Sequence, residues 1–225
     1  MTVLVAEGVH KTYRGDPPVE VLRGVDLAVG AGERVAIVGP SGSGKSTLLN
    51  IVGLLDTPTV GTYRLLGEDT SFLRGRRRDA MRAAVLGFVF QDNHILGHRT
   101  VAENLEVRLA ITGTARSKRG AMIDAALHRV GLSHRRDASA GLLSGGEAQR
   151  LAVARAVVSE PRVLLADEPT GNLDPDNATS ILELFDEQAS TGVAVAVITH
   201  DPRIATWADR ALRLSDGLLH PGQER

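Results

Sequence analysis

At 225 residues the chain has room for one large α/β domain, or a core plus a subdomain, and it can bury a sizeable core. Its 26 Lys and Arg nearly balance 27 Asp and Glu, which removes any global electrostatic case for nucleic acid, and the absence of cysteine excludes a disulfide framework. No apolar run approaches the roughly 18 residues that span a bilayer, and the opening Met-Thr-Val-Leu-Val-Ala-Glu is too short and too soon acidic for a secretion signal. A membrane role would therefore run through a partner or a peripheral contact.

In chain order, Val3 to Val9 and Glu20 to Val29 read as β-rich segments separated by the turn-like Gly15-Asp-Pro-Pro18. Arg34 to Val38 is a short apolar strand running into a glycine-rich loop, and Lys45 to Leu54 follows with helical spacing. Thr62 to Leu66 and Leu86 to Phe90 predict strands, with a basic helix between them over Arg74 to Ala84. From about Gln91 to Ser159 strand patterns cease, and Ala102 to Ile111, Ala121 to Val130 and Gly145 to Val158 carry helical periodicity. This region reads as a helical insertion. Strands return at Val163 to Ala166, Ala194 to Ile198 and Ala211 to Leu214, with a helix over Pro175 to Ala189, and Pro221 to Arg225 reads as a frayed end. Alternating strands and helices predict an α/β fold with a mainly parallel sheet covered on both faces.

The loop after the first short strand, Gly39, Pro40, Ser41, Gly42, Ser43, Gly44, Lys45, Ser46 and Thr47, fits the phosphate-binding pattern G-x-x-x-x-G-K-[ST] in its required strand–loop–helix context. The glycines let backbone N–H groups converge on phosphate oxygens at a helix N-terminus, Lys45 would reach the terminal phosphates, and Ser46 would offer its hydroxyl to Mg²⁺. Val163-Leu-Leu-Ala-Asp-Glu168 is an apolar strand ending in two carboxylates. Asp167 suits Mg²⁺. Glu168, one residue on and expected on the opposite face of an extended chain, suits a general base. Taken alone, such a pair would as readily cap the next helix. Gln91 closes the strand Leu86 to Phe90, expected beside the P-loop strand, and is a candidate for Mg²⁺ or the attacking water. His200 closes the strand Ala194 to Thr199 and is a candidate γ-phosphate donor. Ligands gather outside the carboxyl ends of parallel strands, which is where these residues fall. The run Arg74, Arg76, Arg77 and Arg78 reads as a solvated helix face.

With Leu143-Ser-Gly-Gly-Glu147 added, the chain resembles the ATP-binding-cassette (ABC) ATPases over nearly its whole length, with the motifs in the family's order. The resemblance implies a RecA-like P-loop core over residues 1–91 and 160–225, an antiparallel β subdomain, and a helical subdomain over residues 92–159. It implies that Tyr13 stacks on adenine and that Gln91 is the Q-loop glutamine. It makes Asn172-Leu-Asp174 the D-loop and His200 the switch histidine. Ser144, Gly145 and Gly146 would act in trans on ATP held by a second copy, so the working unit would be a homodimer. Asp167-Glu-Pro-Thr-Gly-Asn-Leu-Asp174 and Leu48-Leu-Asn-Ile-Val-Gly-Leu-Leu-Asp-Thr-Pro-Thr59 look like the MacB/LolD group, of which FtsE is a close relative. That implies ATP and Mg²⁺, no nucleic acid, and a separate permease with few membrane spans and a large extracytoplasmic domain. The chain would sit at the cytoplasmic face of the membrane. In the family Asp92 to Arg99 receives the permease, with Ile95 and Leu96 as candidate contacts. A mechanotransmitter without cargo and a soluble ABC protein acting on DNA or ribosomes are the alternatives; the single cassette, with no sustained heptads between Lys45 and Asp167, disfavours the second. Glu147 and Ala148 stand where glutamines are commonest, and neither change removes a catalytic group.

Overall fold

The computed structural model describes residues 1–222. Strands β1 (Thr2–Tyr13) and β2 (Val19–Gly30) pair antiparallel along most of their length. They join β4 (Val60–Leu65) and β5 (Glu68–Asp69) in a four-stranded sheet of order β2-β1-β4-β5. In β2 the buried Leu22, Val25, Leu27 and Val29 alternate, with one irregular step, with exposed neighbours. β1 runs four residues beyond the expected Val9, because Tyr13 is still paired with Val19. Register shifts and Gly8, at a φ of 54°, break its period-2 pattern and hide that extension from the sequence.

The second sheet has six strands: β3 (Arg34–Val38), β6 (Leu86–Val89), β7 (Val163–Asp167), β8 (Ala194–Thr199), β9 (Arg210–Ser215) and β10 (Leu218–Pro221). Their order is β10-β9-β3-β8-β7-β6, parallel except for the β9–β10 hairpin. Every residue of β8 is buried, as are Val163 to Ala166 of β7, the continuous apolar reading of strands covered on both faces. The frayed end is corrected at Pro221, which pairs with Leu212 across a tight turn through Asp216 and Gly217, both at positive φ. Residues 223–225 of that expectation lie outside the described residues.

One face of this sheet packs on α1 (Lys45–Val52) and the antiparallel sheet, through Leu48, Ile51, Leu22 and Leu65 among others. The other packs on α5 (Gly145–Val157) and α6 (Pro175–Ser190), through Val153, Val157, Ile181 and Phe185. The short α7 (Pro202–Trp207), absent from the sequence reading, closes that face with Ile204. The basic helix is α2 (Gly75–Val85). Its arginines divide: Arg78 is partly buried and donates to the Asp56 carbonyl, Arg74 donates to Ser71 and Leu73, and Arg76 and Arg77 are exposed. Between β6 and β7 the chain forms α3 (Val101–Ile111), α4 (Arg116–Arg129) and α5 around their own core of Leu105, Leu109, Leu127 and Leu151. Helix α5 belongs to both cores, since Val153 and Val157 face the sheet while Leu151 and Ala154 face the helices.

Candidate nucleotide site

Parallel register brings Val38, Thr199, Asp167 and Val89 to one edge of the sheet, since Val38 pairs with Thr199, Asp167 with Ile198, and Val89 with Ala166. The residues that follow each strand therefore converge on one rim. After β3 the loop turns through Gly42 (φ 79°) and Gly44 (φ 103°), conformations that disfavour any side chain. A Cβ on Gly44 would also meet Leu22 Cδ2 at 2.9 Å, and one on Gly39 the Leu214 carbonyl at 2.2 Å. The N-terminus of α1 has no side-chain cap and no acidic residue in its first turn. Lys45 Nζ arches over the loop to the carbonyls of Gly39 (2.8 Å) and Pro40 (2.9 Å). Ser43 Oγ is buried without a hydrogen-bond partner among the described residues. An uncapped helix start, an orphaned hydroxyl, left-handed glycines and a lysine make a cradle that fits polyphosphate.

Asp167 ends β7. Burial and the adjacent Glu168 raise its carboxyl above the ordinary carboxylate range, and Lys45 opposes them, which places the P-loop ammonium within electrostatic reach. Among the described residues no group of three or more His, Asp and Glu side chains could hold a metal. A half-buried, under-compensated carboxylate with the exposed Ser46 hydroxyl fits Mg²⁺, which keeps most of its shell for water and phosphate.

Glu168 differs from the expectation. Its φ is 46°, so the chain turns out of the sheet at this residue rather than staying extended. Its N–H still donates to Ile198 O (2.8 Å). The turn carries the carboxylate over the end of β8. There Thr199 Oγ1 donates to Oε2 (2.8 Å), the His200 N–H donates to Oε1 (3.0 Å), and His200 Nδ1 lies 2.6 Å from Oε1. Thr199 Oγ1 in turn accepts from the Asp201 N–H (2.9 Å), fixing the direction of its proton. The sequence reading missed Thr199; its signal was a hydroxyl residue between a buried strand and His200.

Gln91 is also corrected in position. Its strand, β6, lies at the sheet edge, with β7 and β8 between it and β3. The reason is the strand pairing: β8 takes the place beside β3 and β7 the place beside β8, which leaves β6 only the outer edge of β7. The Gln91 amide lies beside Gly171, lining with Glu168, Asn172 and Gly145 a cleft of about 410 Å³.

Ser144 caps α5 through a reciprocal box in which its Oγ accepts from the Glu147 N–H (3.3 Å) and Glu147 Oε2 accepts from its N–H (2.9 Å). The hydrogen bond from the Ser144 backbone, with Arg135 nearby, holds the Glu147 carboxyl below its ordinary range. Gly145 is open, whereas a Cβ at Gly146 would strike Asn177 Oδ1 at 2.4 Å. Asn177 joins the signature to the D-loop, accepting from Arg150 (2.8 Å) and donating to Asp174 Oδ2 (2.6 Å), and Asp174 caps α6. The buried Gln149, also missed, donates to the Pro169 carbonyl (2.9 Å) and so ties α5 to the turn after Glu168. Tyr13 ends β1, where its hydroxyl donates to Asp56 Oδ2 (3.1 Å).

Beyond Gln91, Arg155 donates to the carbonyls of Asn93 and His94, and Asn104 brackets Leu96 through both its N–H and its carbonyl. Ile95 packs on the helical core, while Leu96 lines an apolar groove of about 310 Å³ with Phe88, Phe90, Val107 and Ile111. Among the described residues no helix is long and apolar enough to cross a membrane.

The family model described as ABC transporter matches residues 22–171. The chain is 47% identical over 221 residues to the lipoprotein-releasing system ATP-binding protein LolD of Shewanella frigidimarina, covering 96% of this chain and 92% of LolD. It is 44% identical over 218 residues to the macrolide export ATP-binding/permease protein MacB of Chlorobium luteolum; that match covers 96% of this chain and 33% of MacB, so the chain spans about a third of that relative's length. It overlays the dimeric structure of MJ0796, a bacterial ABC transporter cassette, with a TM-score of 0.88 and 34% identity over 99% of this chain and 100% of the other. The same cassette also has a dimeric post-hydrolysis structure bound to ADP and Pi. Phosphate cradle, carboxylate pair and capped signature helix thus stand in the frame of a known cassette, and the chain belongs to the ABC transporter family as an ATP-binding ATPase domain of the LolD and MacB type.

Proposed function

We propose that this domain hydrolyses ATP between two copies of itself and drives a separate membrane permease of the kind that LolD and MacB serve. The observation that carries the reading is the rim of the parallel sheet, where an uncapped helix N-terminus, Lys45, Asp167 and Glu168 converge. In this reading the backbone N–H groups of Gly39 and of Ser41 to Thr47, Pro40 having none to give, and the Lys45 ammonium hold the phosphates. Ser46 and Asp167 hold Mg²⁺, which supplies charge neutralisation on the phosphate oxygens. Glu168 accepts the proton of the attacking water, held in place by Thr199 and by the His200 backbone; the imidazole of His200 is free to swing from Glu168 to the terminal phosphate. Gln91, on the far strand, watches the water side of the cleft rather than the P-loop side. Its amide rests against Gly171, which suits it to the attacking water rather than to Mg²⁺. Tyr13 stacks on the base.

The signature serves the second copy. Ser144 Oγ already accepts the Glu147 N–H, which leaves the hydroxyl proton as a donor beside the open Gly145. Gly146 and Asp174 hold the neighbouring surface through Asn177. Together these form a second anion cradle that only a partner's ATP can complete. The dimeric MJ0796 structures support this arrangement by similarity. The division into a core of residues 1–91 and 160–225 and a helical subdomain of residues 92–159 follows the separate helical core, with α5 as the shared element. The apolar groove around Leu96 suits a short amphipathic segment of the permease, which would place the domain on the cytoplasmic face of the membrane.

Glu168→Gln tests the reading. With ATP and Mg²⁺ the variant is expected to lose hydrolysis by roughly 10²–10⁴-fold, to accumulate as a dimer in size-exclusion chromatography with light scattering, and to copurify with an integral-membrane chain from solubilised membranes. Wild-type turnover would remove Glu168 as the base. A monomer at saturating ATP would remove the two-copy site, and recovery of ribosomes or DNA in place of a membrane chain would favour a soluble role.

A further inference from the structure

Asp56 lies outside the motifs that the site uses, yet it joins three of the elements around it. Its backbone N–H donates to the Asn50 carbonyl of α1 (3.0 Å). Its carbonyl accepts from Arg78 of α2. Its carboxylate accepts from Lys11 Nζ (2.6 Å) and the Tyr13 hydroxyl (3.1 Å) of β1, and from the Thr57 N–H (2.7 Å). Lys11 is 9% exposed and also donates to the Thr57 carbonyl (2.9 Å). Its ammonium stands 4.8 Å from the centroid of the Tyr13 ring. A buried lysine is costly unless paired, and this one is paired against the ring that the preceding section assigns to the base. Burial would raise the Asp56 carboxyl, but the hydrogen bonds from Lys11, Thr57 and Tyr13 outweigh it and the group sits below its ordinary range.

The geometry points to Asp56 and Lys11 as positioning residues for the base-stacking ring of Tyr13. Lys11 occupies one face of the ring and leaves the other to the nucleobase. Asp56 fixes the phenol and ties it to α1. The same helix begins at the phosphate cradle, so the two ends of the nucleotide are measured from one rigid element, which at eight residues is about 12 Å long. An aromatic ring at the free end of a β-strand has rotamer freedom that binding must otherwise freeze. The tether removes it before the nucleotide arrives. The cation behind the ring draws π density toward itself and so makes the face presented to the base less electron-rich. This inference rests on the assignment of Tyr13 to the base.

The test is equilibrium titration of the full chain and of Asp56→Asn, Asp56→Ala, Lys11→Met, Tyr13→Ala and the Tyr13→Ala/Asp56→Ala pair, each with ATP and with inorganic tripolyphosphate, which has no base. Asp56→Ala and Lys11→Met are expected to weaken ATP roughly three- to tenfold and to leave tripolyphosphate unchanged. The double variant is expected to be no weaker than Tyr13→Ala alone. Asp56→Asn keeps the shape and an acceptor for the phenol and should fall between wild type and Asp56→Ala, which separates the effect from misfolding. If Tyr13→Ala loses ATP affinity selectively and Asp56→Ala does not, the positioning role is overturned and the base assignment stands. Equal loss of ATP and tripolyphosphate in Asp56→Ala would mean that Asp56 acts through α1, which also overturns it. If Tyr13→Ala binds ATP as wild type does, the base assignment falls first and this inference with it.

Discussion

Thr199 and Asp167 show how much of this site is set by single side chains. Thr199 is fully buried, and its hydroxyl accepts from Asp201 and donates to Glu168, so the carboxylate is aimed by a group with no freedom of its own. Thr199→Val keeps the shape and removes the donor. It is expected to lower kcat about tenfold, the value of one hydrogen bond of about 1.4 kcal/mol, with ATP affinity retained; steady-state kinetics beside equilibrium titration checks both. An unchanged kcat would show that His200 alone suffices to orient Glu168. Asp167 presents the opposite balance, a charge kept where burial and Glu168 disfavour it. Asp167→Asn removes that charge and should raise the Tm at pH 7 in calorimetry, while Mg²⁺-dependent ATP binding is lost. Such a gain of stability with loss of function marks a group held for chemistry.

At the scale of elements, the capping box of Ser144 and Glu147 satisfies the backbone at the start of the signature helix, and in the proposed function the remaining hydroxyl proton would be offered to ATP on a second copy. Aspartate caps helices about as well as serine, but it carries a negative charge where a phosphate would arrive. Ser144→Asp is therefore expected to match the wild-type Tm and to lose ATP-driven dimerisation by light scattering. Mixed with Lys45→Ala subunits, it should retain heterodimers with one working composite site. A Ser144→Asp protein that still dimerises with ATP would remove the signature from the interface. Helix α5 suits this role because it is fixed twice, by Gln149 on Pro169 and by Arg150 on Asn177. A displacement at its N-terminus therefore reaches both the turn after Glu168 and the D-loop.

Across the whole molecule, the parallel sheet is pinned at the end opposite the nucleotide rim. Arg34, at the start of β3, donates to Asp209 through Nε and Nη2 (3.2 and 2.6 Å) and to Asp186 of α6 (2.5 Å), and its guanidinium lies 5.2 Å from the Trp207 ring. The Arg34 hydrogen bonds hold the Asp209 carboxyl below its ordinary value of 3.8, against the opposing effect of burial. A depressed carboxylate stabilises the fold above its unfolded-state pKa, and that contribution disappears as pH falls through the folded value. Asp209 is 45% exposed, so solvent screens part of the effect. Asp209→Asn is expected to lower the Tm by roughly 2–4 °C at pH 7, the shift that about 1 kcal/mol gives in a chain of this size. In calorimetry the difference should shrink as pH falls below the ordinary carboxylate value and vanish once Asp209 is protonated in the folded state. A difference that persisted in acid would assign the loss to packing rather than to the ion pair.

The sequence by itself determined the parallel core, the order of its motifs and the identity of nearly every residue at the rim. Apolar strands covered on both faces read as unbroken runs, and the phosphate loop demands glycines at fixed places whatever surrounds it. Val163 to Ala166 and Gly39 to Thr47 are legible for those reasons. What only the tertiary structure decided depends on strands meeting neighbours far away in sequence. The length of β1 is set by its pairing with β2, the place of Gln91 by the β8 and β7 strands that come between β6 and β3, and the hairpin at Pro221 by β9. The turn at Glu168 out of the extended conformation is of the same kind, since its carboxylate there meets Thr199 at the end of the adjacent strand and His200 just beyond it. Local patterns record the conformations that a segment favours; which partner a side chain then finds is fixed by sheet order and register, and neither is written in any one segment.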